Sequence, residues 1–246
     1  SLQAPQRQLL TALPLLFHVN HPGLPGFAGS TVPSGIADYQ PEREALQAAR
    51  ALARSFDYQR RAHQHLRIQA LYAMGSLGSL GQSVGSDIEL WLCHDDELDP
   101  AAQRSLRDKI DGIERYGASI GLDLHIFPMS ADGFRRGEMS QLSTESSGQM
   151  QPRLLLEEFY RTGVRLAGKP ALWWLVPPAQ EDHYPAYTAW LLDNRFVAAA
   201  DWLDFGGLDA ISPEEFHGGA RWLLHKSIDE PYKALLKLML FESYVG

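Results

Sequence analysis

The chain has 246 residues, 45% of them hydrophobic, enough for one large domain or two small ones around a real core. Its net charge of −8 argues against a general binder of nucleic acid or of a membrane surface. A single cysteine, Cys93, excludes a disulfide framework and fits a reducing cytosol. No apolar run reaches the roughly eighteen residues of a membrane span, and no basic-then-apolar leader opens the chain. A cytoplasmic location without membrane insertion is therefore expected. The chain opens on Ser1 without a methionine and closes on an apolar helical pattern, Leu235 to Phe241, so a fragment of a longer protein is inferred.

Residues 1–17 carry an apolar pattern, Leu9, Leu10, Leu13, Leu16 and Phe17, that predicts a helix. Residues 18–41 hold Pro22, Pro25-Gly26 and Pro33, which predicts an ordered wrapping loop. Residues 41–65 look helical, with Leu46, Ala49, Ala53 and Phe56 on one face; Arg60, Arg61 and Arg67 read as a solvated basic end. Leu66 to Met74 predicts a strand, Gly75 to Ser86 a Gly/Ser turn, and Asp87-Ile88-Glu89-Leu90-Trp91 an alternating strand. Asp99-Pro100 is an N-cap followed by Pro at the first helical position. The helix it opens runs to about Gly117, with Leu106, Ile110 and Ile113 on its buried stripe. Leu122 to Phe127 alternates again, with Asp123, His125 and Phe127 on one face. Strand, turn, strand, helix, strand predicts a small sheet with helices on one side.

Residues 130–150 are polar and predict a flexible loop. Leu155, Phe159 and Leu166 then mark a helix expected to end at Gly168-Lys169-Pro170. Leu172 to Val176 is a short apolar run of undecided type, and Tyr184 to Leu192 predicts a helix. Ser212-Pro213-Glu214-Glu215 is a capping box, and Asp229-Glu230-Pro231 starts a last helix.

The chemistry gathers between Met74 and His94. In a strand Asp87, Glu89 and Trp91 share one face. Two neighbouring carboxylates beside a flexible polar turn are costly unless something positive sits between them. Oxygen ligands of this kind suit Mg²⁺, held by one or two carboxylates and substrate phosphates. The glycines let backbone N–H groups approach a phosphate. A Gly-Ser pair, Gly75-Ser76, ten residues of spacer and acid–apolar–acid at 87–89 match a nucleotidyltransferase signature. Asp123 on the later strand is a candidate third acid. The histidines lack a Cys pair at ligand spacing, so structural zinc is not expected. No G-x-G-x-x-G and no G-x-x-x-x-G-K-[ST] is present.

The chain also resembles the catalytic N-terminal region of class I bacterial adenylate cyclases over most of its length. The resemblance rests on His21-Pro22 with Pro25-Gly26, Gly75-Ser76 with Ser79 and Gly81-Gln82-Ser83, and Ser86-Asp87-Ile88-Glu89-Leu90-Trp91. It continues through Glu157-Glu158-Phe159-Tyr160-Arg161-Thr162, Val164-Arg165-Leu166-Ala167-Gly168-Lys169, Glu181-Asp182-His183-Tyr184, Asp201-Trp202-Leu203-Asp204, and Lys226-Ser227-Ile228-Asp229 with Pro231-Tyr232-Lys233. It departs where the family's usual second acid is Asp and this chain has Glu89.

The fold class expected is α+β: a nucleotidyltransferase-like small mixed sheet with helices over residues 1–150, followed by an all-helical domain over 151–246 that closes the nucleotide cleft. The resemblance implies conversion of ATP to 3′,5′-cyclic AMP and pyrophosphate, with Mg²⁺ or Mn²⁺ as cofactor. It implies a C-terminal regulatory part beyond the residues present. Asp87, Glu89 and Asp123 would be the metal ligands, with Asp123 helping to deprotonate the ribose 3′-hydroxyl. Gly75, Ser76, Ser79 and Ser86 would bind phosphate, Trp91 would stack on adenine or wall the cleft, and Lys226 and Lys233 would neutralise phosphate charge. Two alternatives stay open. One is an intermolecular nucleotidyltransferase acting on a protein, RNA or small-molecule hydroxyl; the other is a nucleotide-binding regulatory module without turnover.

Overall fold

A computed structural model describes residues 2–59, 66–74, 87–138 and 151–208, with isolated positions beyond 208. The Gly/Ser turn at 75–86, the basic Arg60 and Arg61, residues 139–150 of the loop expected over 130–150, and most of the stretch after 208 lie outside the described residues; the start of that expected loop, Ala131–Arg135, is helical instead. The elements are α1 (Ala4–His18), α2 (Arg43–Leu52), β1 (Ile68–Ala73), β2 (Ile88–His94), α3 (Pro100–Ser119), β3 (Leu124–Met129), α4 (Ala131–Arg135), α5 (Gln151–Thr162), β4 (Val164–Gly168) and α6 (Tyr184–Asp193). Among the described residues no helix is long and apolar enough to cross a membrane.

The four strands form one mixed sheet in the order β3-β2-β1-β4. β1 runs antiparallel to both β2 and β4, and β2 runs parallel to β3. Strand side chains alternate between faces, so β1, β2 and β3 each feed two cores. Ile68, Leu71, Ile88, Leu90, Leu92, Leu124 and Ile126 enter the first, with Leu9, Leu13, Leu16 and Phe17 of α1, Ala48 and Ala49 of α2, and Leu106, Ile110 and Ile113 of α3. Ala70, Tyr72, Trp91, Cys93 and Met129 enter the second, with Phe134 of α4, Leu156 and Phe159 of α5, Trp173, Tyr184 and Phe205. Helices therefore cover both faces, where the order of elements alone suggested one.

α3 begins as its sequence dictates: the Asp99 carboxylate accepts from the N–H groups of Ala101 and Ala102, both at 2.8 Å. These are backbone donors that a helix start leaves without partners. The loop after α1 is pinned from inside the protein. Lys109 of α3, fully buried, donates from Nζ to Val19 O at 2.8 Å and to Asn20 Oδ1 at 2.7 Å. Gly26, with φ +78, packs directly against the Lys109 carbonyl and Ile113, where a Cβ would collide.

The boundary expected at residue 150 is not where the fold divides. The helix foreseen through Leu166 stops at Thr162, where the Gly163 N–H closes on Phe159 O at 2.7 Å. The chain then turns into β4, whose Val164, Arg165, Ala167 and Gly168 pair with Ala73, Tyr72, Leu71 and Ala70 of β1. Residues 151–208 thus complete the sheet and its second core instead of forming a separate all-helical unit. The undecided run becomes a single 3-10 turn, Leu172–Leu175, that buries Leu172 and Trp173.

Candidate active site at the head of β2 and β3

The parallel register of β2 and β3 sets Ile88 beside Leu124 and Glu89 beside His125. The ladder begins one bond earlier, with the Ile88 N–H on the Asp123 carbonyl at 2.9 Å. One further step along the same register sets Asp87 beside Asp123. Ile88 and Leu124 both enter the first core, so the residues flanking them point to the other face. Asp87, Glu89, Asp123 and His125 therefore share one face at one end of the sheet, and all four are exposed. The strand β1 ends next to them, the Met74 N–H bonding Glu89 O at 2.8 Å. That contact holds Met74, the last described residue before the Gly/Ser turn, at the same end.

Asp123 has one partner on this face among the described contacts: His125 Nε2 lies 3.2 Å from its Oδ1. Among the described residues, no three His, Cys, Asp or Glu side chains stand close enough together to hold an ion as they are placed. The donor set itself, three carboxylates on adjoining strands, has the hard oxygen chemistry that Mg²⁺ and Mn²⁺ accept.

β3 lies at an edge of the sheet, and α3 seals part of that edge. Glu114 Oε1 accepts the Ile126 N–H at 2.6 Å. Burial raises the Glu114 pKa, and the hydrogen bond from Ile126 and the nearby His125 oppose that rise. Neither His125 nor Glu114 was given a role from sequence. His125 was legible on the acid face by alternation alone, whereas Glu114 acts through a helix-to-strand contact that no local pattern announces.

Further along the acid face the sheet is roofed. Trp91 is 2% exposed, with its ring stacked on Phe159 at 4.7 Å and flanked by Phe134 and Phe205. As placed, the indole is a core residue, because its aromatic neighbours occupy the space a base would need. Of the two expected roles, stacking on adenine or walling the cleft, this burial speaks against the first. The roof is fastened by Asp204, which accepts from Tyr184 Oη at 2.6 Å, Arg135 Nη1 at 2.9 Å and the Gly206 N–H at 2.9 Å. Tyr160 Oη donates to Gly206 O at 2.6 Å. Among the described residues the roof does not reach Glu89, whose side chain is exposed. Cys93, in the middle of β2, is fully buried, and burial pushes its thiol pKa far up, so it is a packing residue. Gly75, Ser76, Ser79, Ser86, Lys226 and Lys233 lie outside the described residues.

The adenylate cyclase NT domain family matches residues 1–174, and the second domain of class I adenylate cyclases matches residues 211–246. The adenylate cyclase of Salmonella typhimurium is 41% identical over 240 residues, that of Escherichia coli K12 40% over 240, and that of Yersinia pestis 39% over 246. Each alignment takes in 97% of this chain and 28% of the relative, so the chain spans little more than a quarter of those curated relatives. A solved toxin–antitoxin structure with AMP-PNP overlaps 52% of this chain and 77% of its own, at 16% identity and a TM-score of 0.25, too slight a likeness to carry an argument. The first family match alone takes in well over half of the chain. The chain belongs to the class I adenylate cyclase family.

Proposed function

We propose that this chain carries the catalytic site of an adenylate cyclase, converting ATP to 3′,5′-cyclic AMP and pyrophosphate. The observation that supports it best is the register of β2 and β3, which lines Asp87 with Asp123 and Glu89 with His125 in a protein of this family. Asp87, Glu89 and Asp123 would hold Mg²⁺ or Mn²⁺. Such ions, when bound, stabilise the attacking and leaving oxygens of an in-line displacement.

The protein's own part is binding, orientation and proton transfer. Asp123 would accept the proton of the ribose 3′-hydroxyl as its oxygen bonds to the α-phosphorus. The bond from that phosphorus to the bridging oxygen breaks, and pyrophosphate leaves with the electron pair. Ser76 and the neighbouring Gly75, Ser79 and Ser86 would hold the departing phosphates through hydroxyl and backbone donors. Lys226 and Lys233 would neutralise their charge. Trp91 has no place in this scheme except as the floor on which the acid strand is held.

The test is incubation of the chain with ATP and Mg²⁺ or Mn²⁺, with cyclic AMP measured directly. Asp87→Asn should cut product at least about 100-fold, roughly the 3 kcal/mol expected when a transition-state charge contact is removed, with circular dichroism unchanged. Cyclic AMP formed undiminished by Asp87→Asn would remove the residue from the mechanism. AMP transferred to a second molecule would favour the intermolecular reaction. ATP binding without any product would favour a regulatory module.

A further inference from the structure

We propose that His125 is a positioning residue for the metal site: its imidazole holds one carboxylate oxygen of Asp123 and leaves the other to the cation. The inference rests on the metal-dependent reading of the site given above. His125 Nε2 is 3.2 Å from Asp123 Oδ1, although the two side chains are 49% and 66% exposed. Core packing therefore does not force the contact.

The backbone around the pair is fixed on both sides. The Asp123 carbonyl takes the Ile88 N–H, and the Ile126 N–H is tied to Glu114. The imidazole is also the register partner of Glu89, in the row next to Asp87 and Asp123. Without a partner beside it, the exposed Asp123 carboxylate would rotate freely in water. A ring N–H at this distance limits the rotation the carboxylate must give up when it binds an ion. Ligating carboxylates are themselves commonly held by such outer partners, whose loss typically costs 10–100-fold in metal affinity.

The experiment is a Mn²⁺ titration of the nucleotide-free chain, read by the electron paramagnetic resonance signal of free Mn²⁺. His125→Ala and His125→Leu, the second keeping bulk, should each raise the Mn²⁺ Kd about tenfold or more with an unchanged thermal midpoint. His125→Gln, which keeps an N–H donor, should stay within about threefold of the unaltered chain. Cyclic AMP formation by His125→Ala should recover at high Mn²⁺, because the lesion is in metal occupancy. Mn²⁺ affinity unaltered in His125→Ala, or a His125→Gln as weak as His125→Ala, would overturn the positioning role while leaving the cyclase reading intact. An unaltered chain that takes up no Mn²⁺ would sink both.

Discussion

Lys109 Nζ and Asn20 Oδ1 meet at 2.7 Å in a part of the protein with no carboxylate at the ammonium among the described contacts. Burial alone pushes the lysine pKa down to about 7. Between that value and the ordinary lysine value near 10.4, the unfolded chain binds the proton that the folded chain has lost. Stability from this group therefore rises with pH over that window and falls as pH drops through about 7. Lys109→Met should remove this slope. The check is the difference in thermal midpoint between the unaltered chain and Lys109→Met at several values from pH 7 to 10. Equal slopes would deny the lysine its depressed pKa.

Trp91 and Phe159 make a second, separable test. Trp91→Ala should cost about 3–5 kcal/mol in denaturant unfolding, the usual penalty for emptying a large aromatic site. Trp91→Phe should keep ATP affinity within about twofold, because neighbouring rings, not a nucleotide, occupy the space around the indole. A large loss of affinity with intact stability would restore it as a base-stacking residue.

Glu89 is the second acid of the β2 pair and is exposed at the head of the strand. If Glu89 is the metal ligand proposed above, Glu89→Gln should abolish cyclic AMP formation, because an amide cannot replace an anionic ligand. Glu89→Asp should retain activity within about tenfold. Kinetics of both variants across a Mg²⁺ and Mn²⁺ series would separate loss of charge from change of reach.

Gly168 takes φ +84 with the Gln69 carbonyl directly in the path of any Cβ. Gly168→Ala should destabilise by roughly 1–3 kcal/mol through the left-handed backbone alone, and more through the collision. Thermal melting reads the loss. An unchanged midpoint would mean that β4 is not seated on β1 as described.

Much of the fold was legible because local rules and tertiary demands agree. The Asp99-Pro100 start of α3, the alternation at 88–92 and the alternation at 122–127 each need only neighbouring residues to be read. Agreement failed at β4. Leu155, Phe159 and Leu166 recur at helical spacing, yet Gly163 sits within the pattern and Val164 begins a strand whose partner, β1, lies about ninety residues earlier. Pairing at that separation leaves no local mark, and it overrides helix propensity. The acid face was legible for the same reason the alternation was. The aromatic roof that removes Trp91 from solvent depends on which elements pack together. The same error placed a domain boundary at 150. A chain ending there should lack a cooperative unfolding transition, whereas one ending at 208 should show one by calorimetry.

β1 waits for its second neighbour during synthesis. From the last residue of β2 to the last of β4 the ribosome adds 74 residues, a lag of roughly 4–15 s at bacterial rates. Throughout it, Tyr72 and Trp91 face outward on a half-built platform, an oily target for nascent-chain chaperones. Slowed codons in that interval should lower soluble yield without altering the finished protein.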